Sequence, residues 1–244
     1  ATLNQVRTDG TAVSVLVLGN DNVVDNLNII CDPTGTAFDN NGGIHIYDKT
    51  NVVVKNCYVK NHGVYGVFLS RVENVTITNN RFWSNYQLAA IRYNNDGGIW
   101  NNSSDILLYS GSSIGNKNVL IENNKCNSPF TSQGIWVSAL GEDQNIIVNT
   151  NHCITTNEDG SDWTATTYWY RVGTGFLRRH GIQVAYESNA NSGAIIVSNN
   201  ICKTTMMTGI YISGGGEGKG VVVSNNYCIA NGYTIEDDLS LAAG

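Results

Sequence analysis

Proline and charge are both scarce in this chain. Two prolines and 14% charged side chains in 244 residues, beside many β-branched residues in register, exclude a disordered chain. The net charge is −6 and no basic cluster is larger than Arg178-Arg179, which argues against nucleic acid as a partner. No apolar run reaches the roughly eighteen residues of a membrane span, and Ala1 opens neither a charged n-region nor an apolar h-region, so neither a span nor a retained signal peptide is expected. The six cysteines include no Cys-x-x-Cys, and no His-x-x-x-His occurs, so no metal site is expected from them.

What is present is one repeated unit. Residues 65–82, YGVFLSRVENVTITNNRF, read as a strand, a polar corner, a second strand, a tight Asn79-Asn80 corner and a third short strand. The pattern returns as NVLIENNKC, then Gly134-Ile135-Trp136-Val137 with NIIVNTNHC, Gly181-Ile182-Gln183-Val184 with AIIVSNNIC, and Gly209-Ile210-Tyr211-Ile212 with GVVVSNNYC. Short strands recurring every twenty to thirty residues or so define a stacked β-solenoid, all-β and one elongated domain over residues 1–244. In the second strand, Val52, Val75, Val119, Ile146, Ile195 and Val221 are equivalent, as are Val54, Ile77, Ile121, Val148, Val197 and Val223. Period-two spacing puts both sets on one face, which a single coil could not bury and a stack can. Asn at the corners tolerates the left-handed conformation, and its amide can bond the next copy in a ladder.

Cys126, Cys153, Cys202 and Cys228 share one repeat position with Phe82 and Val59, which predicts an inward column of small apolar side chains. Reduced thiols fit that column, and they suggest folding in a reducing cytoplasm. In chain order, seven coils are expected between residues 13 and 233. The first has Val13 to Gly19 and Asn22 to Cys31, and residues 1–12 show no clear repeat. The fourth starts at Ala90-Ile91-Arg92-Tyr93 and is interrupted by a loop from Asn94 to Lys117. A second insertion runs from Thr155 to His180. Neither end carries an obvious cap, so a piece of a longer or oligomeric protein is expected.

The pattern GIxL followed by NVxIxNNxC resembles the right-handed parallel β-helix of the pectate-lyase-like superfamily. The Asn- and Gly-rich helix, its reduced cysteines and its aromatic loop insertions are most like a bacteriophage tailspike depolymerase domain. The polygalacturonase motif set and the DPH of alginate epimerases are absent. The resemblance implies a polysaccharide substrate, a homotrimer and a virion or extracellular location. It also allows a Ca²⁺ that we do not place; no other cofactor is implied.

One residue per coil faces out beside the inward Ile44, Val67, Ile91, Ile135, Ile182 and Ile210. These are His45, Phe68, Arg92, Trp136, Gln183 and Tyr211. Aromatic faces with interleaved hydrogen-bonding groups suit sugar rings. Loops folded down over the face, or contact between chains, would account for the same ridge. For glycoside hydrolysis, the preferred chemistry, the acid/base candidates are Asp96 and Glu187, expected about 10 Å apart at two strand spacings. Glu158, Asp159 and Asp162 in the second insertion are the substitutes. A lyase would instead draw on His45, Arg71, Arg92, Arg178, Arg179 and His180. His180 directly precedes a first strand, which places it among the substrate-binding candidates. The third alternative is a glycan-binding adhesin or structural spike without catalysis.

Overall fold

The computed structural model describes residues 1–4, 14–31, 42–84, 104–110, 114–128, 133–139, 141–161, 180–187, 193–204, 208–215 and 220–230. Within them the strands stack into three parallel sheets and form a right-handed parallel β-helix, as the repeat predicts. One sheet has eight strands: β1 (Thr2–Asn4), β4 (Asn28–Ile30), β7 (Tyr58–Lys60), β10 (Arg81–Trp83), β13 (Lys125–Cys126), β16 (His152–Ile154), β19 (Ile201–Thr204) and β22 (Tyr227–Ala230). These are the third strands of the coils, and we call theirs the third sheet. The first sheet holds β2 (Leu16–Val17), β5 (Gly42–Tyr47), β8 (Tyr65–Ser70), β11 (Ser104–Ser110), β14 (Gln133–Ala139), β17 (His180–Glu187) and β20 (Thr208–Gly215). The second holds β3 (Val23–Asp25), β6 (Thr50–Lys55), β9 (Glu73–Thr78), β12 (Lys117–Glu122), β15 (Gln144–Asn149), β18 (Ile195–Ser198) and β21 (Val221–Ser224).

The expected inward pairs do stack. Val52, Val75, Val119, Ile146, Ile195 and Val221 pair in register from β6 to β21. Those from Val52 to Ile195 are at most 1% exposed, and each such side chain stabilises the stack by about 1.5–3 kcal/mol. The Asn corners are left-handed, with φ between 53° and 57° at Asn26, Asn56, Asn79, Asn123, Thr150, Asn199 and Asn225. The residue after each builds the internal ladder. Asn80 Nδ2 donates to Asn124 Oδ1, Asn124 Nδ2 to Asn151 Oδ1, Asn151 Nδ2 to Asn200 Oδ1 and Asn200 Nδ2 to Asn226 Oδ1, at 2.9–3.1 Å. A second, exposed ladder runs through the left-handed residues Asp21, Asn51, Asn74, Asn118 and Asn145 at the other end of the second strand.

The glycine opening each first strand has a packing reason. A Cβ on Gly66 would come within 2.5 Å of Phe82, and one on Gly181 within 2.8 Å of the Cys202 Cβ. Glycine and the third-strand side chain of the same coil therefore share one corner of the cross-section. Val59, Phe82 and Cys126 pair in register, as do Cys153, Cys202 and Cys228, and none of the six cysteines forms a disulfide. Cys228 departs from the expected column in being exposed.

Two boundaries differ from the sequence reading. The first strand of the fourth coil is Ser104–Ser110, which pairs with Tyr65–Ser70 on one side and Gln133–Ala139 on the other. It lies inside the span read as the loop Asn94–Lys117, while residues 90–93 fall outside the described residues. At this coil Asp105 stands in the glycine position, in line between Gly66 and Gly134, which hid the motif. Near the start, Thr2–Asn4 is a strand stacked on Asn28–Ile30, so the solenoid reaches into the stretch read as non-repeating.

Candidate functional site

The outer face of the first sheet carries the expected line of side chains in register. His45 pairs with Phe68, Phe68 with Leu107, Leu107 with Trp136, Trp136 with Gln183 and Gln183 with Tyr211. The place expected for Arg92 thus belongs to Leu107, because β11 and not residues 90–93 supplies the strand; Arg92 lies outside the described residues. Two further lines flank the first. One is Tyr65, Ser104, Gln133, His180 and Thr208, and the other is Tyr47, Ser70, Tyr109, Ser138, Ala185 and Ser213.

Alternation forces the line from His45 to Gln183 outward, because Ile44, Val67, Ile106, Ile135 and Ile182, one position before its members, are fully buried. At the lower end the three lines form one aromatic cluster. His45 meets Phe68 edge-on at 4.9 Å, Tyr65 lies 5.1 Å from Phe68, and Tyr109 stacks on Phe68 at 6.4 Å. Arg71 lies over the Tyr47 ring at 5.2 Å, donates to its hydroxyl and bonds Asp48 at 3.1 Å. At the upper end His180 stacks on Tyr211 at 4.7 Å with 12° between planes. Gln133 Nε2 donates to Gln183 Oε1 at 2.8 Å.

The face is more enclosed than an open ridge. Leu107 is 6% exposed and Tyr211 40%, while His45, Phe68, Trp136 and Gln183 are half-buried. His45 Nε2 and Trp136 Nε1 are buried and find no hydrogen-bond partner among the described residues. A buried polar atom left in that state calls for a partner, since buried polar groups are nearly always hydrogen-bonded. Burial also holds the His45 pKa below the usual imidazole value, so at neutral pH the ring offers one donor and one acceptor. Flat rings beside such groups can grip a ligand with apolar faces and hydroxyl edges.

Of the acid/base candidates, the described residues place Glu158 and Asp159 away from this face. Asp96 and Asp162 lie outside the described residues. With β11 as the first strand, Asp96 precedes that strand and does not follow it, so the two-strand spacing to Glu187 no longer applies. Glu187 is the last residue of β17, paired with Gly215. Glu158 and Asp159 sit against the third sheet, not the first: the Glu158 carboxylate accepts from Lys60 Nζ and, at 3.4 Å, from the Tyr58 hydroxyl. Asp159 caps its own turn by accepting from the Ser161 hydroxyl and N–H, the contacts that lower its pKa.

Sequence reasoning missed one polar cluster, His62, Asp105 and Ser128. His62 Nε2 lies 3.0 Å from Asp105 Oδ1 and 3.3 Å from Ser128 Oγ, and Ser128 Oγ also donates to Asp105. All three are fully buried. Serine and aspartate share one ring nitrogen, so the trio lacks the relay of a nucleophile, base and orienting acid. It braces the coil in which Asp105 replaces glycine, and that replacement is the signal that could have found it.

The described fold and face therefore define a parallel β-helix with a half-enclosed aromatic surface on its first sheet. No family model matches the chain, and no curated protein matches it.

Proposed function

We propose that this protein binds a polysaccharide along the outer face of its first sheet, with His45, Phe68, Trp136, Gln183 and Tyr211 as the contact line. The observation that carries the reading is the register itself, which sets aromatic rings and hydrogen-bonding groups in single file, one per strand at roughly 4.8 Å along the axis, with the apolar Leu107 between Phe68 and Trp136. Sugar rings stack their C–H faces on aromatic faces and bond through equatorial hydroxyls, and His45 Nε2 and Trp136 Nε1, without a partner among the described residues, suit such hydroxyls. Binding is preferred to cleavage because the described residues bring no pair of carboxylates to this face. Depolymerase activity, and the trimer implied by tailspike resemblance, remain readings of that resemblance.

The test is a glycan panel read by affinity electrophoresis, with reducing ends and ultraviolet absorbance followed in parallel. Tyr211→Ala is the better probe, since Tyr211 is exposed and its loss spares the core; Trp136 is half-buried, so its truncation also disturbs packing. We expect Tyr211→Ala to weaken binding about fivefold or more, in line with the roughly 1–3 kcal/mol seen for ring stacking at aromatic platforms. Unchanged binding in a folded variant would refute the proposal, and new reducing ends would show that the same face also cleaves.

A further inference from the structure

The third sheet carries a surface of different chemistry. Its inward residues Val59, Phe82, Cys126, Cys153 and Cys202 are fully buried, so their neighbours along each strand face out. One outward line is Tyr58, Arg81, Lys125, His152 and Ile201. Lys60 and Trp83 lie beside it in the next line. Arg81 stacks over Tyr58 at 4.9 Å and Lys60 over Trp83 at 5.6 Å. Lys125 and His152 are exposed, and Lys125 has no ion-pair partner among the described residues. On a chain of net charge −6, this is a local reversal of sign.

At the head of the strip stands one carboxylate. Glu158 sits in a turn closed by Asn157 N–H to Ser161 O at 2.9 Å, and its carboxylate accepts from Lys60 and Tyr58 while its backbone oxygen accepts from Arg81. Trp83 Nε1 donates to Thr156 O at 3.2 Å and ties the same segment down. The protein's own carboxylate thus shows where an anionic group can sit on this strip.

We propose that the outer face of the third sheet is a second contact surface, for an acidic polysaccharide, with Arg81, Lys125 and His152 meeting its acidic groups and Glu158 competing for the Lys60 end. Charge density chooses between polyanions. Arg81 and Lys125 stand one above the other in this row, about 4.8 Å apart, a spacing that suits a chain bearing about one acidic group per sugar. Duplex DNA carries a charge every 1.7 Å or so of its axis and calls for a broader basic footprint than an acidic protein offers.

The experiment measures binding of labelled hyaluronan, which carries carboxylates alone, and chondroitin sulfate, which adds sulfate esters, with dextran and duplex DNA alongside. At low salt we expect one or both acidic glycans to bind and dextran not to bind at this face. Lys125→Glu should weaken binding roughly threefold to tenfold, the range for losing one exposed pair and adding a repulsion. Glu158→Gln should strengthen it, and raised salt should weaken it. Opposite signs from two variants on one strip cannot arise from a general loss of structure. Failure of both glycans to bind, equal binding by DNA, or an unchanged affinity in Lys125→Glu would each overturn the proposal. Tyr211→Ala, on the other sheet, should leave this binding as it is, which separates the two surfaces.

Discussion

Replacing Asn151 with alanine measures what the internal ladder contributes. Asn151 is fully buried. Its Oδ1 accepts from both the backbone N–H and the side-chain amide of Asn124, each at 3.0 Å. Its own Nδ2 donates to Ile121 O at 2.9 Å and to Asn200 Oδ1 at 3.1 Å. Alanine would leave two Asn124 donors without their acceptor, in a place closed to solvent. A buried donor stranded in this way costs about 1–3 kcal/mol, so the pair alone costs about 2–6 kcal/mol. That is a large part of the roughly 5–15 kcal/mol of a whole domain. No backbone strain is mixed in, because the left-handed residue of this corner is Thr150 and not Asn151. The control is Asn118→Gly in the exposed ladder, where φ is 53°. Glycine keeps that conformation and water replaces the lost bonds, so a change within about 1 kcal/mol is expected. Urea unfolding followed by circular dichroism reads both. If Asn151→Ala costs no more than Asn118→Gly, the internal ladder is geometry without energy and the reasoning fails.

Gly181→Ala should lower stability by about 1–3 kcal/mol, since its Cβ would press on Gly209 O at 2.6 Å and on the Cys202 Cβ at 2.8 Å; Gly19→Ala, which meets nothing closer than 3.5 Å, should be near neutral in the same urea titration. The His45 pKa is lowered by burial, so the unfolded chain takes up its proton first, and the urea midpoint should begin to fall as pH drops below about 6.5, the ordinary imidazole value. His45→Gln should remove part of that fall, and identical pH profiles for the two proteins would refute the assignment.

The second and third strands were legible because every coil repeats the same physical demand there. Two inward β-branched residues, a left-handed corner and a small or aromatic inward residue must recur wherever coils stack, and NVxIxNNxC states that demand in letters. The first strand was legible only while its glycine marked it. At β11 the glycine gives way to Asp105, whose partners His62 and Ser128 come from 43 residues earlier and 23 later. Bonds of that range leave no periodic trace, so Ala90-Ile91 was read as the strand in its place. The exposed ladder has another source: Asn74, Asn118 and Asn145 belong to their strands, as the motif reads, and their left-handed φ of 53–55° is a local feature that the letters NV do not reveal.

Outward residues carry no comparable signal, and this limits what was legible of the site. Register placed His45, Phe68, Trp136, Gln183 and Tyr211 correctly on one line, because alternation is forced once the inward residues are known. Register says nothing of which way a chain leaves a strand end. Glu158 was therefore assigned to the aromatic face from its neighbours in sequence, whereas the turn at residues 157–161 carries it back to Lys60, 98 positions away in sequence. The two faces consequently differ in character. The first sheet is set by rings packed on rings, with Tyr65 and Leu107 at 4% and 6% exposure, and so it depends on shape. On the third sheet, Arg81 and the exposed Lys125, paired at successive coils, present charge outward. Added salt should loosen a ligand on the third sheet and spare one on the first, because screening acts on exposed charges and leaves the burial of apolar surface nearly untouched.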